Sequence, residues 1–333
     1  MKNTMLSVAE ATQKIDSGAV LLIAGSESAL RQLPKGRWIG GTSVYFLTES
    51  GGRCDTQNVF VTEFPDGRDL RIRHYGPDTL PGLTQARFDN GMTAILIPAF
   101  SKTHAQFAIE GAGYDGLFDQ PLMGWITGTH LDEIGRNTPK IADGATGSLY
   151  DEGAVLMHME LDAGTVPALD IINLFSQDKD ADAISFDTDG FSARTATVNG
   201  EKVDFARYVA EKGIDTKLPL VADYAGAMIN VSFQSVDADS GVVQFYAPVI
   251  KGVTYRLAKS TGDYASSFAR QIGSDGAEEF SCNCILNYLY GDMEGKKTGG
   301  FTGPATFGEI AYILLNQTLV HLDLNAAEQA QVA

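Results

Sequence analysis

The sequence predicts an α/β or α+β protein with mixed sheets, flanking helices and two related halves packed together. Three observations carry this. Short apolar runs rich in β-branched residues recur along the chain, bounded by Gly, Pro and Asp, which is how strands read. Stretches with helical spacing lie between them, and strands mixed with helices indicate layered α/β or α+β architecture. Three glycine–threonine segments echo one another: Gly40-Gly41-Thr42-Ser43, Gly124-Trp125-Ile126-Thr127-Gly128 and Gly299-Gly300-Phe301-Thr302-Gly303. Each has acidic residues downstream (Glu49, Asp132 with Glu133, and Glu309), and each suits a corner where glycine lets the backbone approach a ligand.

In chain order, residues 8–15 predict a helix, with Val8, Ala11 and Ile15 on one face and Thr12 interrupting the stripe. Strands are expected at 20–23, 59–61, 93–97 and 154–157, then at 242–246, 254–257 and 318–322. Further helices are expected at 105–111, 168–175, 205–211, 264–272 and 285–290. The Asp-, Thr- and Gly-rich stretch 178–200 marks a boundary. The division expected is 1–190, 191–324 and a frayed tail over 325–333.

Composition narrows the function. Forty-two acidic against 25 basic residues give a formal charge of −17, which repels phosphate backbones and anionic membrane surfaces, so no nucleic-acid or membrane partner is expected. No apolar stretch of about 18 residues is present, and Glu10 and Asp16 precede the short run at 19–24, unlike a signal peptide. Three sparse cysteines, Cys54, Cys282 and Cys284, indicate a reducing compartment, so the cytoplasm is expected.

Familiar motifs weaken on inspection. Gly111-Ala-Gly113-Tyr-Asp-Gly116 has dinucleotide spacing but follows a helix, so its glycines read as a helix stop. Gly295-Lys296-Lys297-Thr298 has Tyr290 where a phosphate loop needs glycine, and reads as a surface turn. Asp178, Asp180, Asp182, Asp187 and Asp189 lack the calcium-loop glycine, since Ala183 stands there. The five histidines form no metal-binding pair: His158 and His321 fit hydrogen-bonded core positions, and His74 beside Arg71 and Arg73 fits either an anion site or a surface ion-pair network. No metal or cofactor is expected. Phe280-Ser281-Cys282-Asn283-Cys284 runs from a strand into a helix, whose positive end favours thiolates; inert packing of the cysteines is the other reading.

Taken together, Phe280-Ser281-Cys282, Gly300-Phe301-Thr302, Phe307-Gly308-Glu309-Ile310 and Asn316-Gln317-Thr318, preceded by Leu218-Pro219-Leu220 and Ile229-Asn230-Val231-Ser232, resemble the C-terminal half of FIST sensory domains. Ile39-Gly40-Gly41-Thr42-Ser43 and Met123-Gly124-Trp125 are similar to the turns of the N-terminal half. The resemblance implies an intracellular small-molecule-binding sensory protein that signals through a separate partner, and it divides the chain into FIST N-like and FIST C-like parts. Some members bind haem, but the family's arginine after the Phe-Ser-Cys cysteine and its histidine before Asn-x-Thr are absent here, where Asn283-Cys284-Ile285-Leu286 and Leu315 stand.

The ligand-binding candidates are Cys282, Asn283, Gly300, Phe301, Thr302 and Glu309. Glu309 is expected at the rim of a buried segment, paired with amides of the 299–302 turn or facing a ligand. Two alternatives stay open: a hydrolase or transferase using Cys282, and a non-catalytic scaffold. A homo-oligomer also stays open.

Overall fold

Among the described residues the chain three times runs strand, helix, strand and lays the second strand parallel to the first. The computed structural model describes residues 1–65, 69–224, 226–262, 264, 266–268, 280–298 and 300–324. The first unit is Val20–Gly25, Glu27–Leu30 and Trp38–Thr42; the second is Gly91–Pro98, Lys102–Glu110 and Leu122–Thr127. The third is Phe280–Cys284, Ile285–Tyr290 and Gly303–Thr306. Their parallel registers place Ile23 beside Gly40, Ile95 beside Gly124 and Asn283 beside Ala305.

The first two glycine–threonine segments lie in the second strand of their units, and the third leads into its strand at Gly303. A Cβ on Gly40, Gly124 or Gly303 would lie 2.9, 1.8 or 1.8 Å from the carbonyl oxygen of Ile23, Ile95 or Ser281 on the parallel neighbour. The side chain is absent because the neighbouring strand occupies its place. Serines start the first two helices: Ser26 Oγ accepts from the Ala29 amide and Ser101 Oγ from the His104 amide. The helix Val8–Asp16 begins with a reciprocal capping box between Ser7 and Glu10, and it buries Ala11 and Ile15.

Each unit belongs to its own six-stranded sheet of mixed direction, and the three sheets share a central core. Alternation along the strands divides their side chains. Val20, Leu22, Ala94, Leu96, Phe280 and Cys282 face the common core. Leu21 and Ile23 face the cluster of Ala11 and Leu30, and Ile95 and Ile97 that of Phe107. Gly308–Ala311 and Ile313–Leu315 join the sheet of the second unit, and Tyr45–Thr48 and Gly51–Cys54 join that of the third. The chain's beginning and end are thereby interleaved.

Residues 184–257 stand apart as an insert. They form a six-stranded and a three-stranded sheet with their own core, including Phe186, Phe205, Leu220, Phe245 and Tyr255. The chain enters and leaves the insert side by side: the Asp178 amide donates to Leu257 O and the Lys259 amide to Ser176 O, both at 2.9 Å. The expected boundary at residue 190 falls inside this insert, and strands from both sides of it share three sheets.

The expected strands all form, as do the helices around 8–15, 105–111, 205–211 and 285–290. The segment expected as a helix from 168 is instead the strand Ala168–Ile172, because the strand Leu319–Asp323 offers it an edge. Most of the helix expected at 264–272, Gly299 and the tail 325–333 lie outside the described residues. No helix among the described residues is long and apolar enough to cross a membrane.

Candidate functional site

Four of the six candidate residues flank one strand, and Cys282 and Asn283 lie on its parallel neighbour Phe280–Cys284. Gly300, Phe301 and Thr302 precede Gly303–Thr306, while Glu309 follows it. Phe301 is buried against the ring of His321, with centroids 4.7 Å apart. Thr302 accepts a hydrogen bond from Ser281 Oγ at 3.0 Å and borders a separate pocket of about 670 Å³ beside residues 1–5.

Cys282, Asn283 and Glu309 are closed off from solvent. The Cys282 thiol donates to Gly124 O at 3.4 Å, and Asn283 Oδ1 accepts from Asn287 Nδ2 at 2.9 Å. Burial, and after it the Glu309 carboxyl, raises the Cys282 and Cys284 thiols well above their ordinary value. Of the two readings of these cysteines, inert packing therefore fits and thiolates at the helix start do not: desolvation outweighs one short helix's dipole. Glu309 itself is wholly buried, not at a rim. Its partners are Thr318, whose amide and hydroxyl donate to Oε2 at 3.2 and 2.8 Å, and Thr306, whose Oγ1 lies 3.3 Å from Oε1. Tyr264 packs in the same cluster as Cys284, so this third corner is filled.

The open counterpart lies at the first corner. A pocket of about 530 Å³ sits where Val20–Gly25, Trp38–Thr42 and Leu122–Thr127 end. Ser26, Ser28, Arg31, Thr42, Thr129 and His130 line it, together with Thr56, Gly128, Glu133, Asn137 and Thr138. The two glycine–threonine strands touch one residue before it: a Cβ on Gly41 would be 2.4 Å from Thr127 Cγ2. The Gly128 amide donates to Thr42 O at 2.9 Å and holds the two corners together. Arg31 is fixed by Glu27, with Nη2 to Oε1 at 2.5 Å. Crevices at the carboxyl ends of parallel strands are where open α/β sheets bind ligands, and this volume is in the usual range for small molecules. The repeated Gly-Thr segments marked this place in the sequence. The converging hydroxyls of Ser26, Ser28, Thr129 and Thr138 did not, since they come from two segments about 100 residues apart in the chain, the start of the helix Glu27–Leu30 and the connection after Leu122–Thr127.

The other motifs serve the fold. Gly111 stops the helix Lys102–Glu110. The Gly295 and Lys296 amides bind Gly52 O and Met293 O rather than face outward as a phosphate cradle. Asp182 accepts from Tyr208 and Asn199, Asp187 pairs with Lys202 at 2.8 Å, and Asp189 accepts from the Lys251 amide. Arg71 lies over the Phe88 ring, and His74 stacks on Tyr150 at 4.0 Å. His158 is buried with Nδ1 2.9 Å from Thr93 Oγ1, and burial, reinforced by Arg87, Arg73 and Arg71, lowers its pKa to about 4. Among the described residues no group of three or more His, Cys, Asp or Glu could hold a metal ion.

A family model described as a family of unknown function (DUF6976) matches residues 6–325, nearly the whole chain. No curated protein and no solved structure matches.

Proposed function

The chain belongs to the DUF6976 family, and we propose that it is a non-catalytic, cytoplasmic sensory module that binds a small polar molecule and signals through a separate partner protein. The observation that carries this reading is the pocket at the carboxyl ends of the first parallel unit, where Arg31, His130 and several hydroxyls converge on one concavity. The resemblance of the 280–318 motifs to FIST sensory domains supports the same class of function. The ligand enters beside Ser26 and Ser28, where side chains are partly exposed, rather than among Cys282, Asn283 and Glu309, which no solvent reaches. Catalysis through Cys282 is disfavoured on physical grounds, because a wholly buried thiol held above its ordinary pKa supplies little thiolate.

Small molecules released from natively purified protein, identified by mass spectrometry, test the proposal. Ser28 is exposed at the pocket mouth, so Ser28→Trp fills the space without entering the core. A near-stoichiometric compound is expected with the wild type, depleted roughly tenfold or more in Ser28→Trp at unchanged melting temperature. No bound compound, or equal occupancy in both proteins, overturns the reading and favours a scaffold.

A further inference from the structure

A smaller pocket of about 170 Å³ lies where the Gly91–Pro98 strand ends, between the helix Lys102–Glu110 and the insert. Its walls come from both bodies: Phe100, His104 and Phe307 from the interleaved sheets, and Phe191 and Tyr246 from the insert. Phe100 holds a left-handed φ of 66° at the pocket and remains 57% exposed, an uncommon conformation for a bulky residue and one that functional sites often hold. Its ring meets Phe307 edge-on at 6.2 Å. Such a surface takes a flat apolar molecule; a dry cavity of about 150 Å³ is enough to bind benzene.

One group in the wall gives direction. His104 is only 7% exposed, and burial lowers its pKa to about 4, so the ring is neutral. Its Nδ1 accepts from the Phe100 amide at 3.3 Å, which leaves the ring's single proton on Nε2. That Nε2 is buried and has no hydrogen-bond partner. The edge-on contact with Phe191 at 5.5 Å offers the N–H at most a weak interaction with a ring face. Among the other polar side chains of the wall, Gln234 is exposed to solvent and Ser101 is spent: its hydroxyl donates to Pro98 O at 2.8 Å and accepts from the His104 amide. A buried donor without an acceptor is unfavourable, so an acceptor that reached it would gain more than it loses in leaving water.

We propose that this pocket is a second binding site, selective for a small planar apolar molecule with one uncharged hydrogen-bond acceptor, which receives the His104 Nε2–H. The site is independent of the polar pocket, and because its walls come from both bodies its occupancy braces the insert against the helix Lys102–Glu110.

Quinoline and naphthalene have nearly the same shape and differ by one ring-nitrogen acceptor, so their affinities for the full chain at pH 8, measured by titration calorimetry, isolate that hydrogen bond. Quinoline is expected to bind about tenfold more tightly than naphthalene, and to shift the His104 Nε2 resonance in nitrogen-15 NMR. His104→Phe should bind both compounds equally. Ala105→Phe, which fills the pocket and leaves His104 in place, should bind neither. Equal affinities in the wild type, no binding of either compound, or unchanged binding to Ala105→Phe overturns the proposal. Should His104→Phe not fold, the wild-type resonance shift and Ala105→Phe decide it.

Discussion

Glu309 has no exposure, and its surroundings fit a protonated carboxyl. Two donors from Thr318 converge on Oε2, while Thr306 Oγ1, which itself reaches Gly308 O at 3.1 Å, stands beside Oε1 and can receive that oxygen's proton. Burial raises the pKa from 4.5 to about 8, against the lowering pull of the two Thr318 donors. The unfolded chain releases this proton above about pH 4.5, whereas the folded protein keeps it until about pH 8. Folding therefore binds a proton inside that window, and stability falls as pH rises through it. Glu309→Gln places an amide donor beside Thr306 and cannot ionise. Its melting temperature should match the wild type at pH 5 and exceed it by pH 9, by an amount equivalent to roughly a few kcal/mol. Parallel melting curves for the two proteins across that range would show that Glu309 carries its charge in the fold. The local sequence pointed to a carboxyl at a buried segment, since Gly308 precedes Glu309 and an apolar run follows. It did not reveal the partner, because Thr318 lies beyond the hairpin strand Ile313–Leu315, where the chain passes to the strand Leu319–Asp323 of another sheet, and a contact of that kind leaves no local signature.

At the scale of elements, the recurrent device is a glycine laid against a carbonyl of the parallel neighbour. In Gly124→Ala the new Cβ would sit 1.8 Å from Ile95 O, which is backbone and has nowhere to go. The ladder between Gly91–Pro98 and Leu122–Thr127 must open, in the middle of the sheet that carries one pocket at each strand end. A loss of about 4 kcal/mol or more is expected in denaturant unfolding, at the far end of what single substitutions do. Gly113→Ala, which meets nothing within 4 Å, should stay within about 0.5 kcal/mol of the wild type. Similar losses for both variants would mean that the clash is relieved by movement. The echo of these glycines was visible in the sequence, as were most strands and helices, because alternation and helical spacing are local. Which strands run parallel was not visible, since pairing joins residues far apart. The Ala168–Ile172 strand shows the limit: its apolar spacing suits a helix, and only the distant edge of Leu319–Asp323 decides otherwise.

For the whole molecule, the insert is the unit to test. Its core is drawn entirely from residues 184–255, and both its sheets close within it. A fragment spanning residues 178–258 should therefore melt cooperatively by circular dichroism, as a domain of about 80 residues with its own core does. A broad, non-cooperative melt would show that it depends on the surrounding sheets. The acidic stretch from residue 178 announced where the insert begins, but nothing in composition marks its return near 258, where a hydrogen-bonded neck replaces a flexible linker. That neck bears on the order in which the chain folds. Strands before residue 173 must find partners after residue 280, a separation that slows folding when the intervening chain is loose. Loop closure depends on the number of free residues between two contacts. Once the insert has folded and its neck is zipped, about 80 residues collapse into the equivalent of a tight hairpin. The distant strands then search for one another as though they were near neighbours in the chain.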